Sequence, residues 1–287
     1  MKSGFVAVAG RPNVGKSTLV NALTGEKVAI VSRIPHTTRH RIRGVWTQPD
    51  AQLVLVDLPG WQRPVDLLTE RMQERVDETM ADDLDAVLFV VNARERIGAG
   101  DRYVAKSVFA LGVPVVIVVN KIDRLKAGHI ATQMKTVAAL GDFHALHPVS
   151  AKTGDGIAEL RSDLVSLLPE GPLYYPAGEV TDMPLEARIA ELVREQALRL
   201  TREEVPHALT AEVVEIDDRR VHVRLYTETE SQKQILVGKG GSVVREIGRW
   251  ARPGIEALLG HTIYLELQVK ASPKWRRNET MLERLGL

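Results

Sequence analysis

Four short apolar segments recur along the first half of the chain, and none of them alternates with polar residues. Continuous apolar runs of this kind are typical of strands that are covered on both faces of a parallel sheet. The stretches between them space their apolar residues as amphipathic helices do. We therefore predict a doubly wound α/β domain with a mostly parallel sheet. The four predicted strands are residues 5–9, 53–56, 87–91 and 115–119.

The hydrophobic pattern changes in the last third of the chain. Residues 221–226 and 263–270 alternate apolar and polar positions, which is typical of strands with one exposed face. Residues 231–259 follow a helical pattern that is interrupted at Gly238-Lys239-Gly240-Gly241. A further amphipathic helix is predicted after Pro184. The order helix, two strands, helices and strand predicts a second, smaller α+β domain.

A segment rich in proline and glycine separates the two patterns. We predict residues 171–183 to be a linker, or a strap wrapped against the first domain. The first domain is then expected over residues 1–170, and the second domain with a C-terminal tail over residues 184–287.

Composition narrows the classes of function. The 287 residues are enough for about two domains. The absence of cysteine excludes disulfides, thiolate metal sites and a cysteine nucleophile. No apolar stretch approaches the roughly 20 residues of a membrane span, and the N-terminus lacks the pattern of a secretion signal. We therefore expect a cytoplasmic protein. Its 38 Lys and Arg against 37 Asp and Glu indicate no particular partner.

The clearest motif follows the first predicted strand. Residues 10–17 match G-x-x-x-x-G-K-[ST], and a helical pattern comes directly after them. In such a loop the backbone N–H groups wrap phosphate oxygens. Lys16 would carry positive charge to the β- and γ-phosphates, and Ser17 would ligate Mg²⁺. The candidate nucleotide-binding residues of this segment are Gly10, Arg11, Pro12, Asn13, Val14, Gly15, Lys16, Ser17 and Thr18.

Three further segments follow predicted strands, in an order that strengthens the first. In Asp57-Leu58-Pro59-Gly60 the aspartate can hold Mg²⁺ and the glycine N–H can meet the γ-phosphate. Asn120-Lys121-Ile122-Asp123 places a carboxylate that can accept from the N1–H and N2 amine of guanine, a donor pair that adenine lacks. In Ser150-Ala151-Lys152 a backbone N–H can meet the guanine O6. Each segment alone would be a common turn, but together they predict a guanine-nucleotide site.

These four segments resemble those of the translation-factor-related GTPases. The resemblance implies GTP and GDP as ligands, with Mg²⁺, and it agrees with the chemistry of Asp123. It also implies a switch threonine, for which we favour Thr38 because related GTPases place an arginine directly after it; Thr37 remains an alternative.

The catalytic residues that we predict are Lys16, Thr38 and Gly60, and the metal ligands are Ser17, Thr38 and Asp57. Many GTPases orient the attacking water with a glutamine after the aspartate segment, whereas this chain has Trp61 there. We therefore expect slow intrinsic hydrolysis. The resemblance to GTPases that lack this glutamine implies a potassium ion at Asn13, although Asn13 is equally suited to cap its own loop.

The interruption at residues 238–241 matches the GXXG loop of a KH domain, which clamps about four nucleotides of RNA. The order of strands and helices around it resembles the type II KH fold. Residues 233–277 contain nine basic and three acidic residues, which suits phosphate contacts. Trp275 would stack on a base or, equally, serve as a packing residue. The candidate RNA-binding residues are Gly238, Lys239, Gly240, Gly241, Arg245, Lys274, Trp275 and Arg276.

A Ras-like P-loop GTPase domain followed by a type II KH domain resembles the Era-like family of bacterial GTPases along essentially the whole chain. The resemblance implies binding to 16S ribosomal RNA near its 3′ end, a role in maturation of the small (30S) ribosomal subunit, and peripheral association with the inner face of the membrane. We expect a monomer. The alternative is a GTPase switch that scaffolds a membrane or protein partner without RNA.

Overall fold

The computed structural model describes residues 1–35, 37–60 and 64–287. The chain forms two compact units. The first contains residues 1–64 and 69–182, and the second contains residues 65–68 and 183–287.

The first unit is built on a six-stranded sheet with the strand order β2-β3-β1-β4-β5-β6. β2 is antiparallel to β3, and the other neighbouring strands run parallel. The α/β fold with a mostly parallel sheet is thereby confirmed. The strands are β1 Lys2–Ala9, β2 Ile42–Gln48, β3 Ala51–Asp57, β4 Ala86–Asn92, β5 Val115–Asn120 and β6 Ala145–Val149.

Helices cover the sheet because its central strands are apolar on both faces. Every residue of β3, β4 and β5 is buried, and apolar residues of the strands belong to two separate core clusters. The helices of this unit are α1 Lys16–Thr24, α2 Leu67–Ala81 from residue 69 onward, α3 Ala99–Phe109, α4 Ala127–Ala138 and α5 Ile157–Leu167.

The segment that we predicted as a linker or strap lies within the first unit as far as Asp182. The buried side chain of Gln52 in β3 accepts hydrogen bonds from the backbone N–H groups of Tyr174 and Tyr175 at 2.8 and 3.0 Å. It also donates to the carbonyl of Tyr175 at 2.9 Å. The N–H of Val45 donates to the carbonyl of Val180. These bonds identify the segment as a strap along the sheet.

The second unit contains a three-stranded sheet with the order β7-β8-β9, in which β7 is antiparallel and β9 parallel to β8. Its core is formed by alternating residues of β8, Val221, Val223 and Leu225, which are fully buried. Its elements are α6 Leu185–Leu200, α7 Val205–Ala208, β7 Thr210–Ile216, β8 Arg220–Thr227, α8 Glu230–Val237, α9 Ser242–Leu259, β9 Tyr264–Ala271 and α10 Glu279–Arg284. This is the predicted α+β order.

Candidate functional site

The predicted nucleotide-binding segments meet at one edge of the six-stranded sheet. β1 ends at Ala9, β3 at Asp57, β5 at Asn120 and β6 at Val149, each directly before or within one of these segments. The carboxyl ends of parallel strands lie together, and open α/β sheets bind ligands there. Segments that are far apart in the sequence therefore line one cleft.

The phosphate loop has the backbone geometry that its glycines predict. Gly10 and Gly15 have φ angles of 155° and 102°. A Cβ on Gly10 would lie 2.5 Å from the carbonyl oxygen of Val90, so a side chain does not fit there. The ammonium of Lys16 donates to the carbonyls of Gly10 and Arg11 at 3.1 and 3.2 Å. Val14 is buried and holds the loop against the core.

Three predicted metal ligands lie together at the start of α1. The Ser17 hydroxyl donates to Oδ2 of Asp57 at 2.7 Å, and its oxygen lies 2.9 Å from Oγ1 of Thr38. Thr37 instead donates to the carbonyl of Ile34 at 2.7 Å. The geometry therefore favours Thr38 over Thr37 as the switch threonine.

The donor set around Asp57 fits Mg²⁺. All three groups supply oxygen, the ligand atom that Mg²⁺ prefers. Oδ1 of Asp57 is buried and accepts no hydrogen bond among the residues that the structure describes. A buried carboxylate oxygen without a partner is costly, and a cation or its bound water would satisfy it.

Burial shifts the pKa values of Lys16 and Asp57 in the directions that favour their uncharged forms. It lowers the pKa of Lys16 to about 8, and the nearby charge of Asp57 opposes the shift only in part. It raises the pKa of Asp57 to about 6, against the effects of Lys16 and of the Ser17 and Thr38 hydroxyls. A phosphate beside Lys16 and a cation beside Asp57 would each favour the charged form.

Residues 120–123, here called the guanine segment, are joined to two other loops by Asn120. Its side-chain amide donates to the carbonyl of Val14 at 3.0 Å. Its Oδ1 accepts from the backbone N–H groups of Lys121 and Ala151 at 2.8 and 3.1 Å. Lys121 donates from its ammonium to the carbonyl of Asn13. Asn120 and Lys121 therefore tie residues 120–123 to the phosphate loop and to Ala151.

Asp123, the predicted base-recognition residue, lies beside the loop at residues 150–152. The hydroxyl of Ser150 donates to Oδ1 of Asp123 at 3.2 Å, which orients the carboxylate. Ala151 is buried with its N–H bound to Asn120, so in this structure that N–H is already occupied. Lys152 is exposed. Asp123 therefore carries the geometric support for guanine recognition in these segments.

Gly60 lies against the phosphate loop. A Cβ on Gly60 would lie 2.8 Å from Cγ and 2.9 Å from the backbone nitrogen of Pro12. Leu58 and Pro59, which precede it, are buried. Trp61, at the position where many GTPases have glutamine, lies outside the described residues.

A pocket lies beside the phosphate loop at residues 10–17. Three of the residues that line it were not predicted as site residues. Ile30, Val31 and Ser32 follow α1 and lack a motif that the sequence could reveal. The signal was Asn21, whose Oδ1 accepts from the N–H groups of Val28 and Ala29 and so turns the chain toward the cleft. The full lining is Pro12, Asn13, Gly15, Lys16, Ser17, Thr18, Ile30, Val31, Ser32, Thr37, Thr38 and Gly60.

In the second unit, the predicted RNA loop joins α8 to α9. Gly238, Gly240 and Gly241 have φ angles of 72°, 58° and 78°, a region that favours glycine. Lys239 is exposed between them, and Arg245 is exposed on the first turns of α9. The N–H groups of Gly238 and Gly241 donate to the carbonyls of Gln234 and Gly238. What the loop presents to solvent at the start of α9 is therefore positive charge, which suits phosphate contacts.

The structure corrects the assignment of Trp275 as an RNA-binding residue. Its ring is fully buried, and its indole N–H donates to the carbonyl of Ala208 at 2.8 Å. A base therefore cannot stack on it, and the packing alternative holds. Lys274 beside it is exposed. Arg276 forms an ion pair with Asp66 at 2.6 Å, so its guanidinium is already engaged.

Comparison with known proteins agrees with both sites. Residues 5–121 match a family model described as 50S ribosome-binding GTPase, and residues 201–276 match a KH domain model. The chain is 44% identical to GTPase Era of Mycolicibacterium smegmatis and 45% identical to GTPase Era of Mycobacterium avium. Each match covers 99% of this chain and 98% of the relative.

Two solved structures have the same fold along their whole length. One is a variant of Aquifex aeolicus Era bound to GDP and aluminium fluoride. The other is Era in complex with MgGDPNP and nucleotides 1506–1542 of 16S ribosomal RNA. Each has a TM-score of 0.95 and 36% identity, and the match covers 100% of this chain and 99% of the other. The chain, with its guanine-nucleotide cleft and its KH domain, belongs to the Era family of GTP hydrolases.

Proposed function

We propose that this chain is a slowly hydrolysing GTP switch that binds 16S ribosomal RNA near its 3′ end and acts in maturation of the small ribosomal subunit. The observation that carries the proposal is the loop at residues 238–241, in which exposed Lys239 and three glycines with positive φ lie between two helices. A related Era structure contains RNA from that region.

The proposal is tested by a matched pair of substitutions at Gly240. Its φ is 58°, and nothing lies within 4 Å of a Cβ placed there. Asp and Asn tolerate this backbone region better than other residues with side chains, so both variants should fold. Gly240→Asp adds a negative charge where phosphate would lie, whereas Gly240→Asn adds nearly the same volume without charge.

Binding should be measured by fluorescence anisotropy with nucleotides 1506–1542 of 16S ribosomal RNA and with a scrambled RNA of the same length. We expect Gly240→Asp to weaken binding about tenfold or more, and Gly240→Asn to weaken it much less, because phosphate contacts dominate affinity. Equal binding of both RNAs by the unmodified chain, or equal loss in both variants, would contradict the proposal. Absence of RNA binding by the unmodified chain would favour the RNA-free scaffold.

The switch part of the proposal requires that the nucleotide state alters RNA affinity. The same titration, performed with GDP and with a non-hydrolysable GTP analogue, should give two different affinities. Identical affinities would leave an RNA-binding GTPase without a switch.

We further propose that Mg²⁺ is the metal of the cleft, held by Ser17, Thr38 and Asp57. The support is Oδ1 of Asp57, which has no hydrogen-bond partner in the part of the chain that the structure describes, and the oxygen-only donor set. When bound, Mg²⁺ neutralises charge on the phosphates. Lys16 binds the same phosphates, and Gly60 contributes a backbone donor. With EDTA present, GTP hydrolysis should fall to the background rate; unchanged turnover would contradict this assignment.

A potassium ion beside the phosphate loop is a further proposal, and it concerns Asn13. This residue has a φ of 63°, and its amide nitrogen donates to the carbonyl of Arg33 at 3.1 Å. Its Oδ1 is the side-chain atom that would bind the cation. Hydrolysis should be faster in KCl than in NaCl for the unmodified chain, and equal in both salts for Asn13→Ala. Turnover should stay well below about 1 s⁻¹.

We also propose a cytoplasmic monomer that associates peripherally with the inner face of the membrane, on the basis of the family resemblance. Within the described ranges, no helix is long and apolar enough to cross a membrane. Sedimentation with anionic lipid vesicles tests the membrane part, and analytical ultracentrifugation tests the monomer. Absence of vesicle binding, or a stable dimer, would overturn the respective part.

A further inference from the structure

Arg11 occupies an unspecified position of the phosphate-loop motif, yet its side chain is held at two points. Its Nε donates to Oδ1 of Asp101 at 2.7 Å, and its Nη2 donates to Oε2 of Glu95 at 2.9 Å. These carboxylates raise the pKa of the Arg11 guanidinium, chiefly through the bond to Asp101. The motif explains neither contact, because the partners lie 90 and 84 positions away.

Asp101 is held in place by contacts that do not involve Arg11. Its side chain is only 1% exposed, at the start of α3. Its other oxygen, Oδ2, accepts from the backbone N–H of Gly98 at 2.9 Å and caps the helix. A Cβ on Gly100 would lie 2.6 Å from Cδ of Arg11, so the arginine runs directly over the helix N-terminus. Arg11 is therefore anchored to a rigid element.

Glu95 continues the contact toward the guanine segment. Its second carboxylate oxygen accepts from the side-chain amide of Asn92, the last residue of β4. The next residue, Ala93, donates its N–H to the carbonyl of Asn120 at 2.8 Å. Asn120 in turn donates to Val14 in the phosphate loop. The bonds form a closed ring that joins the phosphate loop, the loop between β4 and α3, and the guanine segment.

This ring of contacts also includes a partner of Lys16, the residue expected to bind the phosphates. The carbonyl of Arg11 accepts from Nζ of Lys16, so the position of the Arg11 backbone helps to place the ammonium. We propose that Arg11 and Asp101 are positioning residues for guanine-nucleotide binding, which fix the phosphate loop to α3 and, through Glu95, to the guanine segment. The inference rests on the GTP-binding activity of the family and is independent of RNA binding.

Arginine suits this position because its planar guanidinium presents several donors in a fixed geometry. One face of the fork binds the buried carboxylate and the other binds the exposed one. A lysine would supply a single point charge and could not hold both partners in the same orientation. A loop fixed in the binding conformation loses less freedom when the nucleotide arrives, which increases affinity.

The experiment separates positioning from stability. Arg11→Ala leaves Asp101 buried and unpaired, so it should lower both thermal stability and nucleotide affinity. In the double variant Arg11→Ala/Asp101→Asn, the asparagine carbonyl still caps Gly98, and no buried charge is left unpaired. We expect this double variant to regain most of the lost thermal stability while its affinity for GDP and GTP stays about tenfold lower, the equivalent of ~1.4 kcal/mol.

The measurements are melting temperature without nucleotide, GDP dissociation rate by stopped-flow fluorescence, and the KM and kcat of GTP hydrolysis. We expect faster GDP release and higher KM, with kcat changed less than KM. Arg96→Ala, an exposed arginine of the same loop, is the matched control and should leave all four values unchanged. If affinity recovers together with stability in the double variant, or if Arg11→Ala binds GDP normally, the proposal is overturned.

Failure of the family activity itself would look different. In that case the unmodified chain would not bind GDP, and no variant could be compared with it.

Discussion

The indole N–H of Trp275 donates to the carbonyl of Ala208 at 2.8 Å, across 67 positions of the chain. Both residues are buried. The bond fixes the 3-10 turn at Trp275–Arg277 to the end of α7, so the basic segment around Lys274 is held on the second unit by a packed ring.

We predict that Trp275→Ala lowers the free energy of unfolding by about 3–5 kcal/mol, since it removes a large buried ring. Trp275→Phe keeps most of the ring but leaves the Ala208 carbonyl unpaired, at a cost of about 1–3 kcal/mol. Urea denaturation measures both. Trp250→Ala serves as the control, because Trp250 is 47% exposed and its loss should cost about 0.5 kcal/mol. A similar small loss for Trp275→Ala would contradict the packing role.

Binding of Mg²⁺ should weaken as the pH falls. Burial raises the pKa of Asp57 to about 6 when no metal is present, so at pH 5.5 the carboxyl is mostly protonated and a proton competes with the metal. We expect the apparent Mg²⁺ dissociation constant of the GDP complex to rise about fourfold between pH 7.5 and pH 5.5. Isothermal titration calorimetry at the two pH values measures it.

The control for this effect is Asp57→Asn, which cannot titrate at that position. It should bind Mg²⁺ more weakly at both pH values, with a smaller difference between them that reports the titration of the nucleotide alone. An equal pH dependence in both proteins would assign the effect to the nucleotide instead.

Asp123 should decide between guanine and adenine. Asp123→Ala removes a charged acceptor for two base donors, and such bonds contribute about 1.5–3 kcal/mol each. We expect GTP affinity to fall more than about 10²-fold while weak ATP binding is unchanged, as measured by competition against a fluorescent nucleotide. Asp142→Ala, at an exposed aspartate, should change neither. Retained preference for GTP in Asp123→Ala would disprove the assignment.

Gly60→Ala should affect hydrolysis more than binding of GDP. The added Cβ would lie 2.8 Å from Cγ of Pro12, so the segment must move away from the phosphate loop. Loss of one fixed backbone donor to the γ-phosphate should lower kcat about 10²-fold, whereas GDP has no γ-phosphate and should bind normally. Gly128→Ala in α4 is the control, since nothing lies within 4 Å of its Cβ. Equal kcat values for the two variants would contradict the role of Gly60.

The sequence was sufficient for the buried strands and failed at the edges of the sheet. Residues 87–91 and 115–119 lie inside β4 and β5, because strands covered on both faces are continuously apolar. β2 was missed, since Arg43 and other polar residues interrupt an antiparallel edge strand. β6 is not one of the four continuous apolar runs because it contains His147 and Pro148, and proline is tolerated only at an edge.

The nucleotide site was predictable to the extent that it consists of local motifs. Lys16, Asp57 and Asn120 each stand in a short segment after a strand, and the topology of a parallel sheet brings such segments together. The contact of Arg11 with Asp101 was not predictable, because it joins a variable motif position to a helix start 90 residues away. Likewise, periodicity could not distinguish an exposed Trp275 from a buried one.

The strap held by Gln52 has a practical consequence for dissecting the molecule. An expression fragment of the first unit that ends at residue 170 would remove Tyr174 and Tyr175, and with them three hydrogen bonds of a side chain that is fully buried. A fragment that ends after Asp182 keeps these bonds and the ion pair of Asp182 with Arg43. The boundary between the two units therefore lies some twelve residues after residue 170, where the sequence alone placed the end of the first domain.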